Sequence, residues 1–503
     1  MAFTAMDQYF IYFLITYFVS ALLFQLFTKN RRPKIQLRAP PTPPTIPIIG
    51  HIPLLTSPVD AFHKSLKTLA FRQGTPFMRI SIGPFSKFMV VSKASIAKQI
   101  LEIHDLNFTS TRFKTQEYGM SDGISNWDFL RHLLASAPQL HRFADVQKQE
   151  VSRLLEVLDH SSEQGEACDL GAELEKLVNN ILFRMSIGVE SGTYESMKIR
   201  EFVKGLSDEI GAKSVVFSEL LGQYGYGRKK VDALLSNFDE FLEEIVVRHE
   251  EKGGTVGEQD LVDSLMNNYE EQAAHVKPTK NNIKRFLVET LMAGSETLSV
   301  ALKWTLAEII NHPSVLKKLR EEIIGVTGLH KLLHDSDIPK LPYLQAVVKE
   351  SLRLHPPSPL ILRKCIRGCQ ISRYDVIPDS RIIINAYAIM QDPGTWKFPT
   401  EFIPQRFLES PTSNNELQEN VKGENLRHLP FGSGSSACPG ANLAINMMQM
   451  VVGKLVHCFD FEVKGGINME EGSSGVCAGM TKPLICRPIV KQSEIALSNE
   501  FPF

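Results

Sequence analysis

Most of the chain follows the pattern of amphipathic helices, with apolar residues recurring every three or four positions. Shorter apolar runs at Phe77–Ile82, Phe88–Val91 and Ile382–Ile384 predict strands. The pattern therefore predicts a mainly α protein with a small β region. The predicted helices lie near residues 140–160, 170–190, 229–252, 281–311, 314–324 and 342–354.

The N-terminus stands apart because no residue from Gln8 to Thr28 is charged. About 20 apolar residues in a helix cross the hydrocarbon core of a bilayer, so residues 1–28 are a predicted transmembrane anchor. The residues that follow carry only positive charges, at Lys29, Arg31, Arg32, Lys34 and Arg38, which predicts that the rest of the chain stays in the cytosol. A cleaved signal peptide would need a basic start, a shorter apolar run and a small-residue cleavage site, and none is present.

Closely spaced prolines mark the next segment, Ala39 to Gly50. Such spacing favours extended backbone and excludes a helix, which predicts either a stiff spacer or an unstructured tether. We expect residues 29–50 to be a basic and proline-rich hinge. No break in composition divides residues 51–503, which are predicted to form one large domain.

The composition argues against nucleic-acid binding and against a zinc site. A formal net charge of -1, from 55 Lys+Arg and 56 Asp+Glu, gives no electrostatic case for binding nucleic acid. The 7 cysteines include no CxxC pair and no zinc spacing, so we expect reduced thiols in a cytosol-facing protein.

The stretch FGSGSSACPG, Phe431 to Gly440, holds a single cysteine directly before a long apolar helix. A thiolate ligand needs a low pKa, which backbone N–H groups and the positive end of a helix supply. Gly434 permits turn dihedrals, and Gly440 permits close approach of a flat ligand. Cys438 is thus a candidate ligand, although a cysteine in this setting, taken alone, is more often buried and inert.

The apolar helical run LMAGSETLSVALKW contains three residues that do not suit it, Gly294, Glu296 and Thr297. Glycine costs about 1 kcal/mol relative to alanine within a helix, and a buried carboxylate costs more. A functional explanation is a groove for a small ligand, with the acid and the alcohol delivering protons. An interhelix hydrogen bond is the simpler explanation for this motif alone.

Two further motifs offer arginines to carboxylates. Glu350 and Arg353 in VVKESLRLHPP share a helix face within an apolar run, which favours a buried pair, and Arg406 in FIPQRF has a comparable setting. In NWDFLR, Trp127 and Arg131 lie one turn apart, and the run PLILR ends in Arg363. Arginine and indole N–H groups suit carboxylates, although an exposed helix face explains either motif alone.

Together these motifs resemble the cytochrome P-450 family, and more closely its plant microsomal members that oxidise flavonoids and triterpenoids. The resemblance includes the anchor and the proline hinge. The matching motifs follow the family's order: WxxxR at Trp127–Arg131, AGxET at Ala293–Thr297, ExxR at Glu350–Arg353, DPxxW at Asp392–Trp396, PxRF at Pro404–Phe407 and FxxGxxxCxG at Phe431–Gly440.

The resemblance implies the P-450 fold, a single large domain that encloses haem b (iron protoporphyrin IX). Cys438 would be the axial thiolate of the haem iron, with Phe431, Gly434 and Gly440 shaping the binding loop. Thiolate-bound iron activates O2, which implies a monooxygenase. By position, Glu296 and Thr297 would deliver protons.

The remaining motif residues receive supporting roles by the same resemblance. Trp127, Arg131 and Arg363 would hold the haem propionates, and Glu350, Arg353 and Arg406 would form a structural network behind the haem. One departure stands out, since the family's arginines before the cysteine are Ser435 and Ser436 here. A charge-assisted hydrogen bond of this type contributes roughly 1.5–3 kcal/mol, so we expect weaker haem retention.

The resemblance also implies partners and a location. Electrons would come from NADPH through NADPH–cytochrome reductase, and the substrate would be a hydrophobic small molecule. The protein would sit in the endoplasmic reticulum membrane with a single span in the lipid bilayer and the catalytic domain facing the cytosol.

Two other functions share the fold and the cysteine. A thiolate-haem isomerase or dehydratase rearranges hydroperoxides without O2 or a reductase, and such proteins tend to lose the threonine and extend the cysteine loop. Thr297 and an ordinary loop length are retained here, which favours the monooxygenase. A haem-binding protein with impaired catalysis is the second alternative, supported by Ser436.

Overall fold

The computed structural model describes residues 12, 16–17, 19–20, 37–46, 49–52, 61–82, 86–110, 137–211, 228–252, 260–267, 279–328, 331–408, 426–474 and 477–491. The chain divides into two compact units. A sheet unit comprises Met1–Thr111 and Leu360–Ala388, and a helical unit comprises Arg112–Pro359 and Ile389–Phe503.

Twelve α-helices have both of their ends in the described part of the chain. They are α1 Phe62–Arg72, α2 Ala94–Lys98, α3 Ala137–Gln164, α4 Leu170–Ile187, α5 Tyr194–Gly211, α6 Arg228–Lys252, α7 Leu261–Asn267, α8 Lys280–Asn311, α9 Pro313–Thr327, α10 Pro342–Leu354, α11 Ala386–Met390 and α12 Ala441–Cys458. A π-helical turn spans Gln99–Ile103, and 3-10 turns span Asp105–Asn107, Asp335–Lys340 and Pro404–Phe407.

The strands are short and gather into small sheets. They are β1 Phe77–Ile82, β2 Ser86–Val91, β3 Phe108–Ser110, β4 Cys168–Asp169, β5 Leu360–Cys365, β6 Cys369–Ile371, β7 Tyr374–Val376, β8 Arg381–Asn385, β9 Phe459–Glu462, β10 Glu471–Ser474, β11 Cys477–Met480 and β12 Ile485–Val490.

The sheet unit is built on five strands in the order β1-β2-β8-β5-β3. The β2–β8 pair is parallel, and the other pairs are antiparallel. The central strand β8 buries Ile382, Ile383 and Ile384 in succession, so both of its faces are covered. This explains why its sequence is a continuous apolar run rather than an alternating one.

The described part of the proline-rich segment is hydrogen-bonded to this sheet. Arg79 of β1 donates its backbone N–H to the Pro41 carbonyl at 2.8 Å, and the His51 ring contacts the Pro43 carbonyl at 3.1 Å. Gly50 has a φ of 71°, and a Cβ there would collide with the Ser81 carbonyl. The described residues Pro41 and His51 are therefore hydrogen-bonded along β1.

The helical unit is organised around α8, which packs against α4, α10 and α12. Helix α8 begins where the Thr279 side chain accepts the backbone N–H of Asn282, as a helix N-cap does. Helices α9 and α10 begin with Pro313 and Pro342, whose fixed φ and missing N–H suit the first turn. The same unit holds a three-stranded sheet in the order β4-β12-β9 and the hairpin β10–β11.

The prediction of a mainly α protein with a small β region is confirmed, and α10 has the predicted bounds. Helices α5 and α7 and the C-terminal sheet are additions that the pattern did not predict. The predicted anchor, Gln8 to Thr28, lies almost wholly outside the described residues. Among the described residues, no helix combines the length and the apolar character that a membrane span requires.

Candidate active site

The cysteine loop, Phe431–Gly440, folds back on itself through two glycine turns. Gly432 and Gly434 have φ values of 74° and 76°, in the left-handed region that favours glycine. The Cys438 backbone N–H donates to the Phe431 carbonyl at 2.9 Å, and Ala437 donates to the Gly434 carbonyl at 3.1 Å. These bonds fix the position of Cys438, whose side chain is half-buried.

Helix α12 starts immediately after this loop. Gly440 is its N-cap, and a Cβ on Gly440 would meet no protein atom within 4 Å. The 18 residues of α12 direct the positive end of the helix dipole toward Cys438. The loop therefore combines a fixed thiol, a favourable electrostatic position and room for a ligand beside the glycine.

The middle of α8 presents an accessible surface within an otherwise buried helix. Ala293 is exposed and Thr297, one turn later, is half-buried, whereas Leu291 and Ser295 are buried. The Thr297 hydroxyl donates to the Ala293 carbonyl at 2.5 Å. An alcohol on an accessible stretch of this kind is available to a ligand bound against the helix.

The Glu296 side chain contacts another helix, α5. Its carboxylate accepts a hydrogen bond from the Ser207 hydroxyl of α5. Burial and the charge of Glu296 raise the pKa of the Cys477 thiol on β11 well above its ordinary value. No pattern in the sequence could single out Ser207, because it lies in an ordinary amphipathic helix.

Gly294 serves helix packing. A Cβ at Gly294 would lie 2.9 Å from Cδ1 of Leu182 on α4, too close for an ordinary contact. The next residue, Ser295, donates its hydroxyl to Asn179 of the same helix. The glycine thus lets α8 and α4 approach each other, and the ligand groove considered for Gly294 gives way to this explanation.

Glu350 is the centre of a buried ionic network. It accepts from Arg353 through Nε at 2.7 Å and Nη2 at 2.9 Å, and from Arg406 Nε at 2.9 Å. The Ile403 backbone N–H donates to the same carboxylate at 2.9 Å. Glu350 and Arg353 are both 0% exposed, so the structure brings together the three residues that the sequence grouped.

The other arginine donors in this network reach backbone carbonyls. Arg353 Nη1 donates to Met390 at 2.9 Å and Pro399 at 2.7 Å, while Arg406 Nη1 donates to Lys397 at 2.8 Å. Trp396 lies against both guanidinium groups, with its ring centroid 5.2 Å from Arg353 and 5.8 Å from Arg406. These contacts hold a segment of backbone without regular secondary structure in place, so the role of the network is structural.

Arg363 lies on β5 of the sheet unit, and its side chain is only 2% exposed. Its Nη1 donates to the Leu362 carbonyl at 3.0 Å. A buried guanidinium of this kind suits an anionic group. The predicted companions Trp127 and Arg131 lie outside the described residues.

The adjacent serines of the cysteine loop, Ser435 and Ser436, differ in exposure. Ser435 is exposed, and Ser436 is half-buried. His428, just before the loop, is buried, and its Nε2 lies 3.1 Å from the Lys349 carbonyl. Its ring packs edge-on against Phe407, in the 3-10 turn that also contains Arg406.

Comparison with known proteins identifies the family that has this cysteine loop, central helix and buried ionic network. A family model described as Cytochrome P450 matches residues 40–486. The chain belongs to the cytochrome P450 family. It is 36% identical to cytochrome P450 705A1 of Arabidopsis thaliana over 500 residues, 95% of each chain. It is 34% identical to cytochrome P450 93A3 of Glycine max, over 94% of this chain and 96% of the relative.

A further relative has a named reaction. The P450 is 32% identical to 3,9-dihydroxypterocarpan 6A-monooxygenase of Glycine max, over 94% of this chain and 96% of the relative. The family assigns this P450 as a haem-thiolate monooxygenase with haem b as its cofactor. The residues of the helical unit fit that group, because the cysteine loop leaves room at Gly440 and Thr297 lies on an accessible helix face.

Proposed function

We propose that this P450 inserts one oxygen atom from O2 into an apolar, multi-ring plant metabolite of the flavonoid or triterpenoid type. Cys438 is the residue that would supply the axial thiolate. Bound in this way, haem activates O2, because the thiolate donates electron density that favours O–O cleavage. The fixed backbone of the cysteine loop and the helix dipole of α12 support this assignment.

The single observation that carries the proposal is the accessible stretch Ala293–Thr297 in the middle of α8. Its threonine hydroxyl is already oriented by the Ala293 carbonyl, at 2.5 Å, and its oxygen retains lone pairs that can accept a further proton donor. Thr297 would therefore pass protons toward the reacting oxygen, with Glu296 as the acid that replenishes them. This role requires the Glu296 carboxylate to leave the Ser207 hydroxyl and turn toward Thr297.

The remaining residues would hold and support the cofactor. Arg363 would bind a haem propionate, together with Trp127 and Arg131. Phe431, Gly434 and Gly440 would shape the loop on the thiolate side. The network of Glu350, Arg353 and Arg406 would fix the backbone behind the haem, which its buried pairing supports.

The substrate class rests on polarity and on one relative. The accessible part of α8 offers Ala293 and the half-buried Met292, Glu296 and Thr297 to a ligand, so the described surface there combines apolar groups with two polar ones. Mostly apolar sites with a few polar groups bind hydrophobic molecules. The printed name of the Glycine max relative gives a dihydroxypterocarpan as its substrate, which supports the flavonoid side of the proposal.

Electron supply and location follow from the same proposal. NADPH would reduce the enzyme through a membrane-bound NADPH–cytochrome reductase. Residues 1–28 would anchor the chain in the endoplasmic reticulum membrane, and residues 29–50 would lead into a cytosolic catalytic domain at 51–503. The uncharged run Gln8–Thr28 and the basic residues after it support this orientation.

The test is turnover in microsomes that contain the full chain and the reductase. We expect a flavonoid or triterpenoid from a panel to shift the haem spectrum, to stimulate NADPH consumption and to yield a product heavier by one oxygen atom. Conversion of a hydroperoxide without reductase or O2 would instead indicate the isomerase. A haem spectrum without substrate-dependent NADPH consumption would indicate a binding protein with impaired catalysis.

A further inference from the structure

Two cysteines far apart in sequence lie opposite each other in the C-terminal sheet. Strand β4 pairs antiparallel with β12, and the register places Cys168 directly across from Cys486. Residues in this relation have Cα atoms about 4.5–5.5 Å apart, within the range of about 4.4–6.8 Å that disulfides span. The backbone is therefore already positioned for a bond between the two sulfurs.

The two thiols have unequal chemistry. The Cys486 side chain donates a hydrogen bond to the Cys168 sulfur, which lowers the pKa of Cys168 despite its partial burial and the nearby carboxylates of Glu173 and Asp169. Cys486 is 2% exposed, and its hydrogen bond to Cys168 together with burial raises its own pKa. Cys168 is half-buried, so reagents in solution can reach the more nucleophilic member of the pair.

We propose that Cys168 and Cys486 form a reversible dithiol–disulfide couple that reacts with small disulfides, with Cys168 as the attacking sulfur and Cys486 as the resolving one. The Cys168 thiolate attacks one sulfur of the small disulfide and releases the other half as a thiol. Cys486 then loses its proton and displaces the attached half as a second thiol. The protein loses two hydrogens and two electrons, and the small disulfide is reduced to two thiols.

A second pair of thiols in the sheet unit provides a contrast. Cys365 and Cys369 lie close enough for their side chains to interact. Burial raises the pKa of both, that of Cys365 to about 11. Since the thiolate is the reactive form, this pair is expected to react much more slowly with the same reagent.

The bond would connect two parts of the helical unit. Asp169 of β4 caps α4 by accepting the Ala172 backbone N–H at 3.0 Å, and β12 pairs with β9 directly after α12. A cross-link between Cys168 and Cys486 would therefore attach the start of α4 to the C-terminal sheet. Because it closes a very long loop, oxidation should raise the temperature of unfolding.

The experiment treats the haem-loaded full chain with oxidised glutathione at neutral pH, followed by alkylation and non-reducing peptide mapping. We expect one cross-linked peptide pair, Cys168 with Cys486, which dithiothreitol reverses. Cys365 and Cys369 should remain open to alkylation after denaturation. The carbon monoxide spectrum of each sample reports whether the haem site stays intact.

Two serine variants assign the roles. In Cys486→Ser, Cys168 should accumulate a glutathione adduct that nothing resolves, and in Cys168→Ser, Cys486 should stay unmodified. Cys365→Ser is the matched control and should leave the cross-link unchanged. The proposal is overturned if the wild-type chain forms no Cys168–Cys486 link, including the case in which glutathione stays attached to Cys168. A Cys365–Cys369 link that forms as fast, or an adduct on Cys486 in Cys168→Ser, also contradicts it.

Discussion

Two carboxylates of the helical unit, Glu350 and Glu296, lie in opposite settings. Glu350 is fully buried and accepts hydrogen bonds from two arginines and a backbone N–H. Glu296 is half-buried, and its carboxylate accepts a hydrogen bond from the neutral hydroxyl of Ser207. One acid is enclosed by fixed cationic partners, and the other is hydrogen-bonded to a neutral hydroxyl of a neighbouring helix.

The two settings suit different roles, a structural role for Glu350 and a chemical role for Glu296. A carboxylate held by two guanidinium groups is fixed in place, which suits a structural role. Glu296 accepts from a hydroxyl and precedes Thr297 on the accessible part of α8, which suits the chemical role proposed for it. Substitutions of both acids test this difference.

Glu350→Gln should produce the largest effect. It leaves the buried Arg353 without its counter-charge, and breaking a buried pair in this way costs about 3–5 kcal/mol of unfolding free energy. Urea unfolding of the haem-loaded protein measures the change. Glu321→Gln is the control, since Glu321 and Lys317 are 3.9 Å apart and exposed, and such pairs contribute less than about 1 kcal/mol. Equal losses in both variants would contradict the scaffold role of Glu350.

Glu296→Gln should leave the fold and the haem spectrum intact but impair turnover. Loss of a general acid lowers the rate by about 10²-fold or more, so product formation should fall by at least that order. Thr297→Ala should shift electrons from product to peroxide, and Thr297→Ser should restore coupling because it keeps the hydroxyl. If Glu296→Gln unfolded as readily as Glu350→Gln, Glu296 would belong to the scaffold as well.

Ser436→Arg tests whether the cysteine loop lacks a cation for a haem propionate. The Glu350 network, by contrast, has two arginines for one carboxylate. A gained charge-assisted hydrogen bond of roughly 1.5–3 kcal/mol should slow haem transfer to apomyoglobin by about tenfold to a hundredfold. Ser435→Arg is the control and should have less effect, because Ser435 is exposed. Equal or faster haem release from Ser436→Arg would show that the propionate is already satisfied.

Gly294→Ala should give the smallest change. The new methyl group must displace Leu182, and overpacking of this kind costs about 1 kcal/mol of stability. Gly325→Ala on α9 is the matched control: no atom lies within 4 Å of the new Cβ, so better helix propensity should stabilise by up to about 1 kcal/mol. A stabilised Gly294→Ala would refute the packing explanation.

The sequence was sufficient where local chemistry decides the structure. The spacing of Glu350 and Arg353 within an apolar run predicted a buried pair, and the alternation and length of apolar runs predicted α10 and β1. It was insufficient where distant segments meet. Leu182 opposite Gly294, Ser207 against Glu296, and Cys168 across from Cys486 depend on tertiary packing that no local pattern encodes. The weak two-residue strand β4 shows the same limit.

The central claim is that Cys438 provides the axial thiolate. The most direct measurement is the carbon monoxide difference spectrum of the reduced Cys438→Ala variant, with Cys369→Ala as the control from the sheet unit. We expect the long-wavelength band to disappear in Cys438→Ala and to persist in Cys369→Ala. A band that survives in Cys438→Ala would show that a residue other than Cys438 binds the haem iron.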